Sequence, residues 1–70
     1  MRRQLVFSTS LRSVGYENSQ SILEIEFRDS GLYQYFGVPV EVYQGLLAAP
    51  SKGGYFHERI KDAFRYRKLN

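Results

Sequence analysis

Seventy residues without a cysteine make one domain and exclude disulfide staples, thiol redox chemistry and cysteine-ligated zinc. Eleven aromatic residues, six Tyr and five Phe, supply burial that so short a chain needs, each ring removing roughly 150–250 Å² from water. The net charge of +3 rests mainly on arginine, which favours planar pairing with phosphate or carboxylate, and no apolar run approaches the ~20 residues of a membrane helix, so the chain reads as cytoplasmic with no membrane partner.

In chain order, residues 1–5 form a loose arm bearing Arg2 and Arg3, its end anchored by Leu5 and Phe7. "SLRSVGYE" (10–17) alternates as a strand does, and "ENSQS" is a turn cluster. "ILEIEFR" (22–28) carries the clearest period of two, with Leu23, Ile25 and Phe27 on one face and Glu24, Glu26 and Arg28 on the other. "DSG" (29–31) suits a three-residue hairpin loop with Gly31 left-handed, and "LYQYF" (32–36) is the third strand. These loops pair Tyr16 with Leu23, Val14 with Ile25, Phe27 with Tyr33, and Ile25 with Tyr35. One face then holds Val14, Tyr16, Leu23, Ile25, Phe27, Tyr33 and Tyr35. The other holds Arg12, Glu24, Glu26, Leu32, Gln34 and Phe36.

Pro39 fits the first position of a helix and Glu41 its positive end. Tyr43, Leu46 and Leu47, with Val42 beside them, form an apolar stripe at helical spacing. Gly45 within it costs ~1 kcal/mol against Ala, which points to close backbone packing. "AAPSKGG" ends that helix, and a second runs from near Ser51 to about Ala63 with Phe56, Ile60, Ala63 and Phe64 inward. Residues 65–70, "RYRKLN", are a basic tail, short and extended against the sheet. The expected fold class is α+β over a single domain, 1–70. It is a three-stranded antiparallel meander with two C-terminal helices packed on one face, β-β-β-α-α.

"SLRSVGYE", an acidic-apolar strand, "YQYFGVP", and "LLAAPSKGGYF" with an Ile four residues on together resemble the KTSC domain. That short module is named for its place at the C-terminus of some lysyl-tRNA synthetases, and also occurs as a stand-alone small protein in bacteria and their phages. The resemblance spans roughly residues 6–68, and Tyr33-Gln34-Tyr35 matches the family's Tyr-x-Tyr hallmark. It implies an RNA-binding role through the synthetase connection.

Three groups of residues bear on function. If Ser51 caps the second helix, then Lys52, Gly53 and Gly54 form its first turn, and free N–H groups, the helix dipole and a lysine converge as they do in phosphate sites. The same residues also suit an ordinary cap, and the P-loop spacing is absent. Arg59, Arg65 and Arg67, with Lys68, add positive charge interleaved with Tyr55 and Tyr66 as stacking rings, a pattern suited to nucleotide or single-stranded RNA contact. Glu58 and Asp62 dilute it. In the register above, Tyr33 and Tyr35 lie under the helices as core rings with hydroxyls at the rim. Leu32 and Phe36 face the other way beside Glu24 and Glu26, whose carboxylates repel phosphate, so that face suits protein contact or homo-oligomer formation.

Catalysis has little to build on. His57 is the one histidine and is expected to point outward, since Phe56 and Ile60 claim the inner side; no spacing gathers a serine and an acid around it. Glu24 and Glu26 stand ~7 Å apart on one strand face with no cleft implied, and a lone histidine with scattered carboxylates has no metal-ligand spacing. The expectation is a non-catalytic module without metal or cofactor that binds RNA or a phosphorylated nucleotide, in one version as an oligomer sequestering a nucleotide signal between subunits. The alternative is a protein-interaction or homo-oligomerisation module with no nucleic-acid ligand.

Overall fold

The three alternating segments form adjoining antiparallel strands in the computed structural model, which describes residues 1–70. They are β2 (Leu11–Glu17), β3 (Ile22–Phe27) and β4 (Gly31–Phe36). Two short strands complete the sheet at its edges: β1 (Gln4–Leu5) pairs with β2, and β5 (Tyr66–Lys68) pairs with β4. The order is β1-β2-β3-β4-β5, antiparallel throughout. Four strands therefore precede the helices, not three. The expected loose arm pairs Gln4 with Val14 and Leu5 with Ser13, while the expected anchors Leu5 and Phe7 are 77% and 100% exposed. The extended tail does lie against the sheet, as β5.

The β2–β3 register matches expectation, with Val14 opposite Ile25 and Tyr16 opposite Leu23, and a bulge between Leu11 and Ser13. The β3–β4 register differs by two residues: Ile25 faces Tyr33, Leu23 faces Tyr35, and Phe27 faces Gly31. The loop is Arg28–Ser30, so Gly31 opens the strand. Gly31 has φ +100°, and a Cβ there would lie 2.5 Å from the Asn70 carbonyl oxygen. A two-residue slip exchanges partners but keeps every side chain on its own face. The face assignment therefore survives the error in pairing.

Helix α1 (Val40–Ala48) starts one residue later than expected, with Pro39 as its extended N-cap. Helix α2 (Lys52–Arg59) is capped by Ser51 and stops four residues short of Ala63. Ile60 leaves helical geometry at φ −120° and its side chain is wholly buried, after which the chain turns to deliver β5 to the sheet. The Arg65 carbonyl accepts the Phe36 amide at 2.9 Å, which begins that pairing. No helix is long and apolar enough to cross a membrane.

The core lies between the sheet and the helices. Leu11, Val14, Leu23, Ile25, Val38, Leu46 and Ile60 are fully buried and Tyr35 nearly so. The approach of the two helices rests on Gly45, where a Cβ would overlap the hydroxyl of Tyr55. The close packing expected of Gly45 is present. Tyr16 stacks on Tyr43 at 5.1 Å and donates its hydroxyl to the Val38 carbonyl.

The opposite face of the sheet carries no helix and is closed by polar groups. The Arg3 guanidinium pairs with Glu24, and its Nε donates to Ser13 Oγ at 2.9 Å. Gln34 Nε2 donates to the other Glu24 oxygen at 2.9 Å, and the Ser13 hydroxyl donates to Glu26 at 3.0 Å. Glu24 is 5% exposed despite its charge. An ion so buried is tolerated only with its cation and hydrogen-bond donors in place.

Two outcomes follow. Arg3→Ala leaves the Glu24 carboxylate buried without its cation and is expected to lower stability by about 1–3 kcal/mol in urea unfolding. Adding Glu24→Leu should return at least half of that loss. Burial, then the neighbouring phenols of Tyr33 and Tyr66, push Tyr35 up to about 12. An unfolded tyrosine ionises near pH 10, so between about 10 and 12 the unfolded chain sheds a proton that the native one retains. Stability is then level below pH 10 and falls across that window. Tyrosinate absorbance should show a late step that Tyr35→Phe removes.

Candidate functional site

At the β5 edge the inner face of the sheet is uncovered, and an open cleft of about 260 Å³ lies between β4, β5 and the end of α2. Its base is a cluster of rings packed edge to face. Phe56 meets Phe27 at 4.9 Å and Tyr35 at 5.5 Å, with interplanar angles of 68° and 74°. Such contacts hold rings in fixed orientation and contribute ~0.5–1.5 kcal/mol each beyond burial. Tyr33 and Tyr66 stand above this base, 5.8 Å apart and tilted by 47°. The register causes this, because Tyr66 lies opposite Tyr35 and Lys68 opposite Tyr33. Tyr66 is 59% exposed and Tyr33 half-buried, so both present ring surface to solvent.

Cations surround the rings. Lys61, in the turn after α2, lines the cleft with Ser30 from the β3–β4 loop. Lys68 Nζ lies 5.8 Å from the centroid of Tyr33, within cation–π range. Tyr35 is thus a core ring as expected. Tyr33 packs on the core at one end and lines the cleft at the other.

The expected site residues do not gather at one point. Tyr66 stands in the cleft, but Tyr55 is used between the helices, with its hydroxyl against Gly45 and the Arg59 guanidinium 5.9 Å from its ring centroid. Arg67 lies opposite Gln34, which places it on the outer face and away from Tyr66. Arg65 is exposed just before β5. Ser51, Lys52, Gly53 and Gly54 sit at the other end of α2, ~12 Å away along its axis. There the Ser51 hydroxyl accepts the Gly54 amide at 3.2 Å, Lys52 Nζ donates to the Ala49 carbonyl at 3.1 Å, and the Ser8–Ser10 loop borders the glycines. These bonds form a helix cap. His57 is exposed, and no three His, Asp or Glu side chains converge as metal ligands.

Leu32 and Phe36 are half-buried on the outer face, opposite Glu26 and Ile22. Gln34, joined to Glu24 and through it to Arg3, lies between them. The apolar surface there is divided by a polar belt.

Phe27, Ser30, Phe56 and Lys61 are the cleft residues that sequence reasoning left out of any site, and Tyr33 and Tyr35 were expected there as core rings. The alternation of "RYRK" was the available signal: continued as a strand beside "YQY", it puts Tyr66 next to the paired tyrosines and Lys68 beyond them.

Comparison with known proteins bears on the whole chain. Residues 7–64 match the KTSC domain model. The crystal structure of a KTSC domain protein from Yersinia pestis superposes with a TM-score of 0.97 at 43% identity, covering 99% of this chain and 97% of that one. An uncharacterized protein of Stutzerimonas stutzeri is 45% identical over the full length of both chains. A lysine–tRNA ligase of Trichormus variabilis is 42% identical over 60 residues, which are 86% of this chain and 11% of the ligase. A fold so closely superposed and a match over most of its length show that this chain belongs to the KTSC domain family.

Proposed function

We propose that this chain is a non-catalytic binding module for single-stranded RNA or a phosphorylated nucleotide, with its base site in the cleft at the β5 edge. The observation that carries the reading is the pairing of exposed ring surface on Tyr33 and Tyr66 with Lys61 and Lys68 at the rim. A base stacked on an aromatic ring gains ~1–3 kcal/mol, and adjoining cations attract the phosphate that follows it. The edge-to-face base of the cleft keeps the rings oriented before any ligand arrives, which lowers the ordering cost of binding. Arg65, which borders a neighbouring shallow groove with Lys61 and Tyr66, adds positive charge beside the cleft. The lysine–tRNA ligases that contain a related segment have an RNA in their name, which fits this class of ligand.

Titration with a single-stranded oligouridylate and with a panel of mono- and dinucleotides tests the reading. Binding is expected at low salt and should weaken as salt rises, with a logarithmic slope of ~0.7 per phosphate contacted. Tyr66→Ala is expected to weaken it by about 1–3 kcal/mol, or roughly 5- to 150-fold. Lys52→Ala should leave it unchanged, because that ammonium is bonded to the Ala49 carbonyl at the far end of α2. Absence of binding to every probe at low salt would remove the reading, and an equal loss in Lys52→Ala would move the phosphate contact to the helix cap.

A further inference from the structure

At the sheet edge opposite the cleft, β1 runs into a segment whose apolar side chains face water. Phe7 is 100% exposed and Leu5 77%. With Val6, Arg12 and Arg28 they line a groove of about 350 Å³. Isolated exposed apolar residues are ordinary, but a wholly exposed phenylalanine beside a second exposed apolar side chain on an edge strand is a binding feature. β1 has a partner on one side only, so its outer edge presents unpaired backbone groups. The two arginines are under-used. Arg12 Nε stands 3.9 Å from Glu26, and Arg28 Nε donates to the Ser8 carbonyl at 2.9 Å, while the Nη groups of neither make a hydrogen bond.

We propose that this groove binds an extended acidic segment of a partner protein. The segment adds as a strand along β1, sets an apolar side chain against Phe7 and Leu5, and places carboxylates on Arg12 and Arg28. The chemistry on the page selects this occupant. A second copy of this chain, joined two-fold through the groove, would bring Arg12 and Arg28 of both subunits together at a net charge of +3 each. Nucleic acid would satisfy the arginines and stack one base on Phe7, but it has no peptide N–H and C=O groups at strand spacing to pair with the open edge of β1. An extended peptide matches all three elements: backbone bonds for the strand edge, an apolar side chain for the groove, and bidentate carboxylates for the guanidinium forks.

The probe is a fluorescein-labelled peptide, Asp-Leu-Glu-Val-Asp-Leu-Glu, followed by anisotropy and by amide shifts of the full chain at low salt. Its comparators are the same peptide with lysine at each acidic position and a ten-nucleotide oligouridylate. The acidic peptide is expected to bind at least tenfold more tightly than the lysine form and to shift amides at residues 4–7 and 12. Phe7→Ala and Arg12→Glu should each weaken it about tenfold, and Tyr66→Ala should leave it unchanged. Phe7 touches nothing in the core, so its replacement keeps the fold. Absence of acidic-peptide binding, equal binding of the lysine form, or indifference to Phe7→Ala would overturn the proposal. Oligouridylate binding that Phe7→Ala abolishes, without peptide binding, would overturn it in favour of nucleic acid. Since Tyr66→Ala and Phe7→Ala act on opposite edges, failure here is distinguishable from failure of the cleft.

Discussion

Two helices of nine and eight residues have to cover one face of a five-stranded sheet. At 1.5 Å per residue they are ~13 and ~12 Å long, whereas four strand spacings already span ~19 Å. Coverage is complete over the centre, where Val14, Leu23 and Ile25 exclude water, and fails at β5, where Tyr66 is 59% exposed. The residues at that margin suit their position. A tyrosine can bury the body of its ring and leave its hydroxyl wet, which leucine cannot do. The cleft is therefore a product of the shortfall in cover, and its rings serve packing and exposure together.

The outer face shows how a small domain manages a sheet side with no helix to cover it. Ser13 bonds to Glu26 and Gln34 to Glu24, and Arg3 joins the two pairs into one network by reaching both Ser13 and Glu24. Its value lies in register as much as in stability. A one-residue slip of β3 would turn Glu24 into the core and Ile25 out to solvent, two penalties incurred at once. The same belt separates Leu32 from Phe36, so that face does not present one continuous apolar surface.

What was legible in the sequence, and what was not, follows from the range of the interactions involved. The period of two in "ILEIEF" and the stripe in α1 are local signals, and both gave the buried face. The β3–β4 pairing depended on whether Arg28 or Asp29 begins the loop, which no local pattern fixes; Asn70, 39 residues away, packs against Gly31 in the observed register. β1 was missed because a strand of two residues has no periodicity of its own and exists through pairing with β2 and the reach of Arg3 to Glu24. The overlong second helix had a similar cause. Lys61, Asp62 and Ala63 are compatible with a helix, but burial of Ile60 and the pairing of β5 outweigh that local preference. The cleft assembles residues from β3, β4, α2, the following turn and β5. A linear reading found Tyr66 as a ring and Tyr33 as core without setting them side by side.

All eight core side chains fall between Leu11 and Ile60, and the stretch matching the family model ends at residue 64. Tyr66 and Lys68 come after both. Interior and cleft wall are thus separable along the chain: removal of residues 65–70 would spare every fully buried side chain yet take Tyr66 from the cleft. On the ribosome the scaffold has all its interior before the wall emerges.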